Sequence, residues 1–469
     1  MKIAFVASEV VPFAKTGGLA DVCHALPLAL EKLNQKIVLV MPKYAGVNEG
    51  RHPLEKIGGD IFHLRMGKNV SIYFVEHNDY FNRSGLYNDI NGDFNDNLER
   101  FQYLSRRALE VFKEIDFCPD VIHCHDWQTA LVPLYLKAWY ADDPFYKNTR
   151  SVLTIHNLAY QGVFPKQKFG VLGLGPSYFN QDYFEFYDQI NLLKAGIMTA
   201  DKLTTVSPRY AQEIQTKEFG CNLEGIIQMR GDDLTGILNG IDYDVWDPQK
   251  DSFLEYPYGM EVVDKKQNNK HYLQEISGLR VDTDIPLFGF IGRLTHQKGL
   301  DLIAAGMDDI LHRDIQMVFL GDGEKRYADL LRHIHSRYPQ KVALFLQFNE
   351  GLAHQIYAGS DILLMPSHYE PCGLNQMIAL KYGTIPLVHY IGGLADTILS
   401  HHYGGVGFAY SPDNTREFLN CIHDAVDVFH DRSKFFALMI RAMSQDFSWN
   451  NSAREYLKLY ESFKASVIS

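Results

Sequence analysis

Cysteine is scarce in this 469-residue chain, with six residues at positions 23, 118, 124, 221, 372 and 421. No two form a C-x-x-C pair and their spacing outlines no disulfide framework, so free thiols in a reducing compartment are expected. Long apolar runs are also missing. No stretch reaches the ~18 residues of a membrane span. The apolar start Ile3-Ala4-Phe5-Val6-Ala7 stops at Ser8-Glu9, too short for a signal peptide, and the expected location is the cytoplasm. Positive charge is in deficit: 45 Lys and Arg against 57 Asp and Glu give a net charge of −12. That balance argues against nucleic acid or an anionic membrane as a partner. Neither G-x-G-x-x-G nor G-x-x-x-x-G-K-[ST] occurs. A nicotinamide-dependent oxidoreductase or epimerase should carry the first of these, followed by an acidic residue.

What the chain does have is a glycine turn between a strand and a helix. Residues 2–7 read as a buried strand, and Leu19, Val22, Leu26 and Leu30 recur at helical spacing. Between them lies Lys15-Thr16-Gly17-Gly18-Leu19-Ala20-Asp21-Val22. Glycines let a backbone approach an anion, the free N–H groups of a helix start face it, and a lysine adds charge. The residues alone leave two readings, a phosphate-binding turn or only a tight turn.

Apolar, strand-like runs alternate with amphipathic stretches throughout. They lie at 2–7, 37–41, 72–75, 120–124, 151–155 and 202–206, then at 286–291, 315–320, 342–347, 361–365 and 385–389. This predicts α/β architecture with parallel sheets, twice over, and the length suits two domains. Arg65 to Ser71 reads as a hairpin turn, an antiparallel excursion of the first sheet. The polar, aromatic stretch to about residue 285 breaks the pattern, and the hinge is expected at 241–285. The expected result is two doubly wound, Rossmann-like domains facing a deep interdomain cleft, with ligands at the carboxyl ends of strands. Residues 157–182 form a long irregular segment of the kind that tends to be functional. Gly392-Gly393-Leu394-Ala395-Asp396 echoes the first glycine turn, so each domain is expected to present an N–H-rich turn to the cleft.

Four further segments carry chemistry. Arg293 and Lys298 follow a strand and precede a helix beginning near Leu300, where two cations either clamp a diphosphate or are simply solvated. Glu370 stands beside Pro371-Cys372-Gly373 just before another helix; it either binds sugar hydroxyls or sits in solvent in a helix-capping loop. Asp126 and Trp127 end one strand, and His156 and Asn157 end the next, a site-like convergence. His123-Cys124-His125 offers only its two histidines to one face of a strand, and no metal site is expected.

Together these motifs resemble the ADP-glucose-dependent glycogen and starch synthases, glycosyltransferase family 5, with the two-domain GT-B fold. The resemblance runs the length of the chain. It rests on the 15–22 turn, His125-Asp126-Trp127, His156-Asn157-Leu158-Ala159-Tyr160-Gln161-Gly162, Leu238-Asn239-Gly240-Ile241-Asp242, Gly292-Arg293-Leu294 with Gln297-Lys298-Gly299, Glu370-Pro371-Cys372-Gly373-Leu374, and Lys381-Tyr382-Gly383-Thr384. Relatives often carry Thr in place of Asn375, His in place of Gln128 and, in some, Tyr in place of Phe94. The E-x7-E pattern of family 4 glycosyltransferases is absent, since Ile378 stands eight residues after Glu370.

The resemblance implies domains at 1–241 (acceptor side) and 242–450 (nucleotide sugar), with a helix in 451–469 returning to the first. It implies transfer of glucose from ADP-glucose to the nonreducing 4-hydroxyl of an α-1,4-glucan, with retention and release of ADP, and no cofactor or metal. Lys15, Gly17, Gly18 and Asp21 would serve the donor phosphates from the first domain, and Arg293 and Lys298 from the second. Glu370, Cys372 and Gly373 would hold the glucosyl hydroxyls. Asp126, His156 and Asn157 would line the sugar and acceptor side, Asn239 the domain junction, and Phe348 the adenine. The catalytic set would be Lys15, Asp126, His156, Arg293, Lys298 and Glu370. The alternatives are another nucleotide-sugar donor such as UDP-glucose, or a noncatalytic glucan- or nucleotide-sugar-binding protein.

Overall fold

Nine strands build the sheet of the first unit: β1 (Lys2–Val6), β2 (Lys36–Pro42), β3 (Glu55–Gly58), β4 (Ile61–Arg65), β5 (Val70–Val75), β6 (Val121–His125), β7 (Arg150–Ile155), β8 (Lys202–Thr205) and β9 (Leu234–Gly236). The computed structural model describes residues 1–89 and 92–465, the last two by backbone alone. The chain divides into two compact units, Met1–Gly240 with the C-terminal helix Trp449–Ala465, and Ile241–Ser448.

In the first unit the strand order is β9-β8-β7-β6-β1-β2-β5-β4-β3. Strands β1 and β2 are near-continuous apolar runs buried past their first residue, and β6, which carries His123 and His125, is buried throughout, as expected when helices cover both faces of a parallel sheet. Only β4 runs against the rest of the sheet, pairing antiparallel with β3 and β5, and the turn from Arg65 to Ser71 closes the β4–β5 hairpin. The sheet reverses its winding at β1, which has β2 on one side and β6 on the other. The loops leaving the carboxyl ends of β1 and β6 therefore flank a switch point, the usual ligand position in such sheets. The first leads into α1 (Gly18–Lys32) and the second opens with Asp126. The segment 157–182, expected to be irregular throughout, carries a short strand, Val163–Pro165, in a small antiparallel sheet and two 3₁₀ helices, Lys166–Leu172 and Pro176–Tyr178. The C-terminal helix packs on α1, and Tyr460 in it is fully buried with its hydroxyl 2.7 Å from His123 Nδ1.

The second unit holds β10 (Leu287–Ile291), β11 (Gln316–Leu320), β12 (Val342–Phe345), β13 (Ile362–Met365), β14 (Ile385–His389) and β15 (Phe408–Tyr410). All pair in parallel, in the order β12-β11-β10-β13-β14-β15. This is the doubly wound order, with its switch point between β10 and β13. From β10 the chain enters α2 (Leu300–His312), and from β13 it enters α3 (Asn375–Lys381). The 241–285 stretch, expected to be the hinge, lies wholly within the second unit. Lys266–Ile276 is a helix whose buried face is largely polar: Lys266, Asn269, Lys270 and Gln274 with Leu273. Lys266 Nζ donates to Tyr357 O, Ala358 O and Thr384 Oγ1 at 2.7–3.1 Å, and Lys270 Nζ meets Asp361 Oδ2 at 2.7 Å, so both buried amines are hydrogen-bonded.

Candidate active site

In the first unit the glycine turn hangs from a buried carboxylate. Glu9 is 3% exposed and accepts from the Thr16 backbone N–H, from Thr16 Oγ1 at 2.7 Å, and from the Tyr87 hydroxyl at 2.6 Å. Lys15 is half-exposed and pairs with Asp21 Oδ1 at 2.7 Å. Gly17 has extended backbone, and a Cβ built on it meets nothing within 4 Å. Neither conformation nor packing requires glycine there. The space above it is open, and no side chain caps the N-terminus of α1, so its first N–H groups have room for an anion.

The β6 and β7 ends come together as the sequence suggests. Asp126 is buried with φ +55 and accepts the His156 backbone N–H at 2.6 Å. Burial pushes its carboxyl up to about 8, against backbone hydrogen bonds from His156 and Asn157 and with a further lift from the Glu9 charge. Burial also lowers His156 to about 3 and His125 well below its usual range, with His123 and His156 adding to the latter. Both rings are thus neutral at pH 7, joined by a hydrogen bond between His125 Nδ1 and His156 Nε2 at 3.0 Å. His123 and His125 share a strand face as expected. Both His123 nitrogens are engaged by hydroxyls, Nε2 with Thr154 Oγ1 at 2.5 Å and Nδ1 with Tyr460. Asn239 is buried, and among the described residues its Oδ1 has no hydrogen-bond partner.

In the second unit Arg293 leaves β10, exposed and without a side-chain partner among the described residues. Lys298 closes a 3₁₀ turn, His296–Lys298, that ends on Gly299 at φ +67. Glycine is obligatory at 299, because a Cβ would also lie 1.9 Å from Pro366 O. Packing the two switch-point loops together brings Lys298 Nζ to 2.6 Å from Glu370 Oε2, which also accepts from Ser367 Oγ at 3.0 Å. Glu370 is 7% exposed and does not cap α3, whose start has no side-chain cap; the solvated, capping reading of this residue is therefore excluded. Cys372 is buried and Gly373 sits at φ +70. Phe348, beyond β12, is 83% exposed.

The expectation of a second open N–H turn at Gly392-Gly393 is corrected. The Gly393 N–H already donates to Glu370 O at 3.0 Å, and a Cβ there would lie 2.1 Å from Cys372 O. This pair packs beneath the 370–373 loop and holds it. Sequence reasoning also missed Glu9, Tyr87 and Ser367. The one local signal for Glu9 was an acid just past the end of β1.

Comparison with known proteins joins both units to one family. The family described as Starch synthase catalytic domain matches residues 2–229, and Glycosyl transferases group 1 matches residues 274–428. A glycogen synthase of Geotalea uraniireducens (strain Rf4) is 45% identical, covering 98% of each chain. The chain belongs to the glycogen synthase family. A second glycogen synthase, from Desulforamulus reducens, is 44% identical over 98% of each chain. The catalytic domain of starch synthase IV from Arabidopsis thaliana, solved with ADP and acarbose, superimposes with a TM-score of 0.91 at 32% identity, covering 98% of this chain and 99% of that one. Sucrose-phosphate synthase from Thermosynechococcus elongatus shares the fold, with a TM-score of 0.62 at 16% identity over 99% of each chain. As a member of the glycogen synthase family, the protein is a glycosyltransferase of the GT-B fold. Among its described residues no helix is long and apolar enough to cross a membrane.

Proposed function

We propose that the protein transfers glucose from ADP-glucose to the nonreducing 4-hydroxyl of an α-1,4-glucan, with retention of configuration. The observation that carries this reading is the Lys298–Glu370 pair at the switch point of the six-stranded sheet, with an exposed Arg293 in the same loop as Lys298. A cation pair next to a buried carboxylate suits a diphosphate next to a sugar. The bond from C1 to the β-phosphate oxygen breaks, the acceptor O4 bonds to C1, and the O4 proton leaves with ADP. Charge grows on the β-phosphate, where Arg293 and Lys298 stabilise it; one well-placed donor is worth about 3–4 kcal/mol. Lys15 and the open α1 start, with Gly17, Gly18 and Asp21, are assigned to the same phosphates.

Glu370, with Cys372 and Gly373, is assigned to the glucosyl hydroxyls. Asp126 is held protonated by burial and can donate a hydrogen bond. With neutral His156 and with Asn157 it is assigned to the transferring sugar. Asn239, with its unpartnered buried oxygen, is a polar contact for substrate, and exposed Phe348 is a stacking surface for adenine. No metal or cofactor is assigned, because the cations serve the diphosphate. None of the six cysteines is in a disulfide, which supports a cytoplasmic location. Incubation with ADP-glucose and a maltooligosaccharide, followed by proton NMR of the product, tests the reading. New α-1,4 linkages formed in step with ADP support it; a β-anomeric product or hydrolysis alone overturns it.

A further inference from the structure

We propose that His296, Asp301 and His368 form a binding site for one divalent transition-metal ion of the zinc class, separate from the groups assigned to the sugar reaction. The three come from different parts of the second unit: the 3₁₀ turn after β10, the first turn of α2, and the loop after β13. One ligand atom from each lies within 4.8 Å of the other two. His368 Nε2 is 2.9 Å from Asp301 Oδ1, and His296 Nδ1 is 3.7 Å from the same oxygen. Bonds of about 2.0–2.1 Å in tetrahedral geometry put neighbouring donors roughly 3.3 Å apart. The two measured edges bracket that value, and the third, between the two imidazoles, is no longer than 4.8 Å.

The surroundings fit a metal site as well. Asp413 Oδ2 lies 2.6 Å from His368 Nδ1. A carboxylate on the far nitrogen fixes the ring; Nε2 itself donates to Asp301, 2.9 and 3.1 Å from its two oxygens, and an ion would take the place of that proton, which leaves to solvent. The scaffold beneath is rigid: the His368 backbone N–H donates to Gln297 O at 2.9 Å, and Gln297 Nε2 donates to Tyr369 O at 3.2 Å. Access is open, with the His296 and Asp301 side chains 65% and 44% exposed, and a water can take the fourth position. Tyr327 OH, 3.3 Å from His296 Nδ1, is the neighbour an ion would displace. Two imidazoles and one carboxylate favour zinc over magnesium or calcium, which prefer all-oxygen sets.

The test is titration of the full-length protein, stripped with chelator and desalted, with zinc chloride alone. Calorimetry gives stoichiometry and affinity, and thermal unfolding gives an independent readout. The expected result is one equivalent bound at micromolar zinc with a raised Tm, both lost in His296→Ala and in His368→Ala. His296 is exposed, so its variant keeps the test sound if removal of His368 disturbs the fold. His402→Ala reports on a separate His401, His402 and Asp424 cluster and should bind as the parent does. No saturable binding, binding unchanged in His296→Ala, or binding lost only in His402→Ala would overturn the proposal. The first outcome would leave His368 as an ionic bridge between Asp301 and Asp413.

Discussion

Lys298 and Glu370 stand 72 residues apart in the chain and meet at 2.6 Å, the carboxylate almost wholly buried. The cation assigned to the diphosphate and the carboxylate assigned to the sugar are thus one unit. Each holds the other in place.

Separating the structural from the catalytic role of this pair takes a double-mutant cycle. Lys298→Met leaves a buried carboxylate without its cation and should cost about 3 kcal/mol or more in stability. Adding Glu370→Gln removes the stranded charge and should recover most of that loss in urea unfolding. Turnover should stay depressed about 100-fold or more in both single variants and in the double. Recovery of turnover together with stability would make the pair purely structural.

Gly17 and Gly299 should respond to alanine in opposite ways. Gly299→Ala meets both a left-handed φ and the Pro366 carbonyl, and should destabilise by about 2 kcal/mol or more. Gly17→Ala places its methyl in open space on extended backbone. Its Tm should match that of the parent while the KM for the nucleotide sugar rises, as expected if a ligand fills that space. A parent-like KM would return the turn to a purely local role.

Asp126 sets a pH signature. Its folded pKa, raised by burial to about 8, lies above the ordinary carboxylate value of 3.8. Between those values the folded state binds the extra proton, so stability falls as pH rises and the loss is complete above about pH 8. Asp126→Asn carries no such proton. The Tm advantage of that variant over the parent should widen from pH 5 to pH 8 and then level off. A constant gap across that range would mean that Asp126 is ionised throughout.

Transfer should continue at an unchanged rate after treatment with excess chelator and assay in metal-free buffer, because the diphosphate is assigned to Lys15, Arg293 and Lys298. The zinc site inferred above is assigned no step of the reaction. Loss of activity restored by magnesium would contradict the assignment of charge.

The parts of this architecture that were legible in the sequence are local. Buried strands announce themselves as apolar runs, and the Gly17 and Arg293–Gly299 turns stand out because glycine and charge follow those runs directly. The helix Lys266–Ile276 escaped because its buried face repeats at helical spacing in lysine, asparagine and glutamine, which carry no hydrophobic signal. Strands β9 and β15 are three residues each, too short for a pattern. Pairings across the chain left no trace: Lys298 with Glu370, Thr16 and Tyr87 on Glu9, and Tyr460 with His123 across 337 positions. Each is made by the fold, and each partner alone reads as an ordinary polar residue.

The most direct test of the account is a donor competition. The purified protein is given radiolabelled ADP-glucose or UDP-glucose with a maltooligosaccharide acceptor, and label in glucan is compared with nucleotide released. The account predicts incorporation from ADP-glucose, equal in amount to the ADP formed, with UDP-glucose a poor substitute. Equal or faster incorporation from UDP-glucose, or no incorporation from either donor, would contradict it.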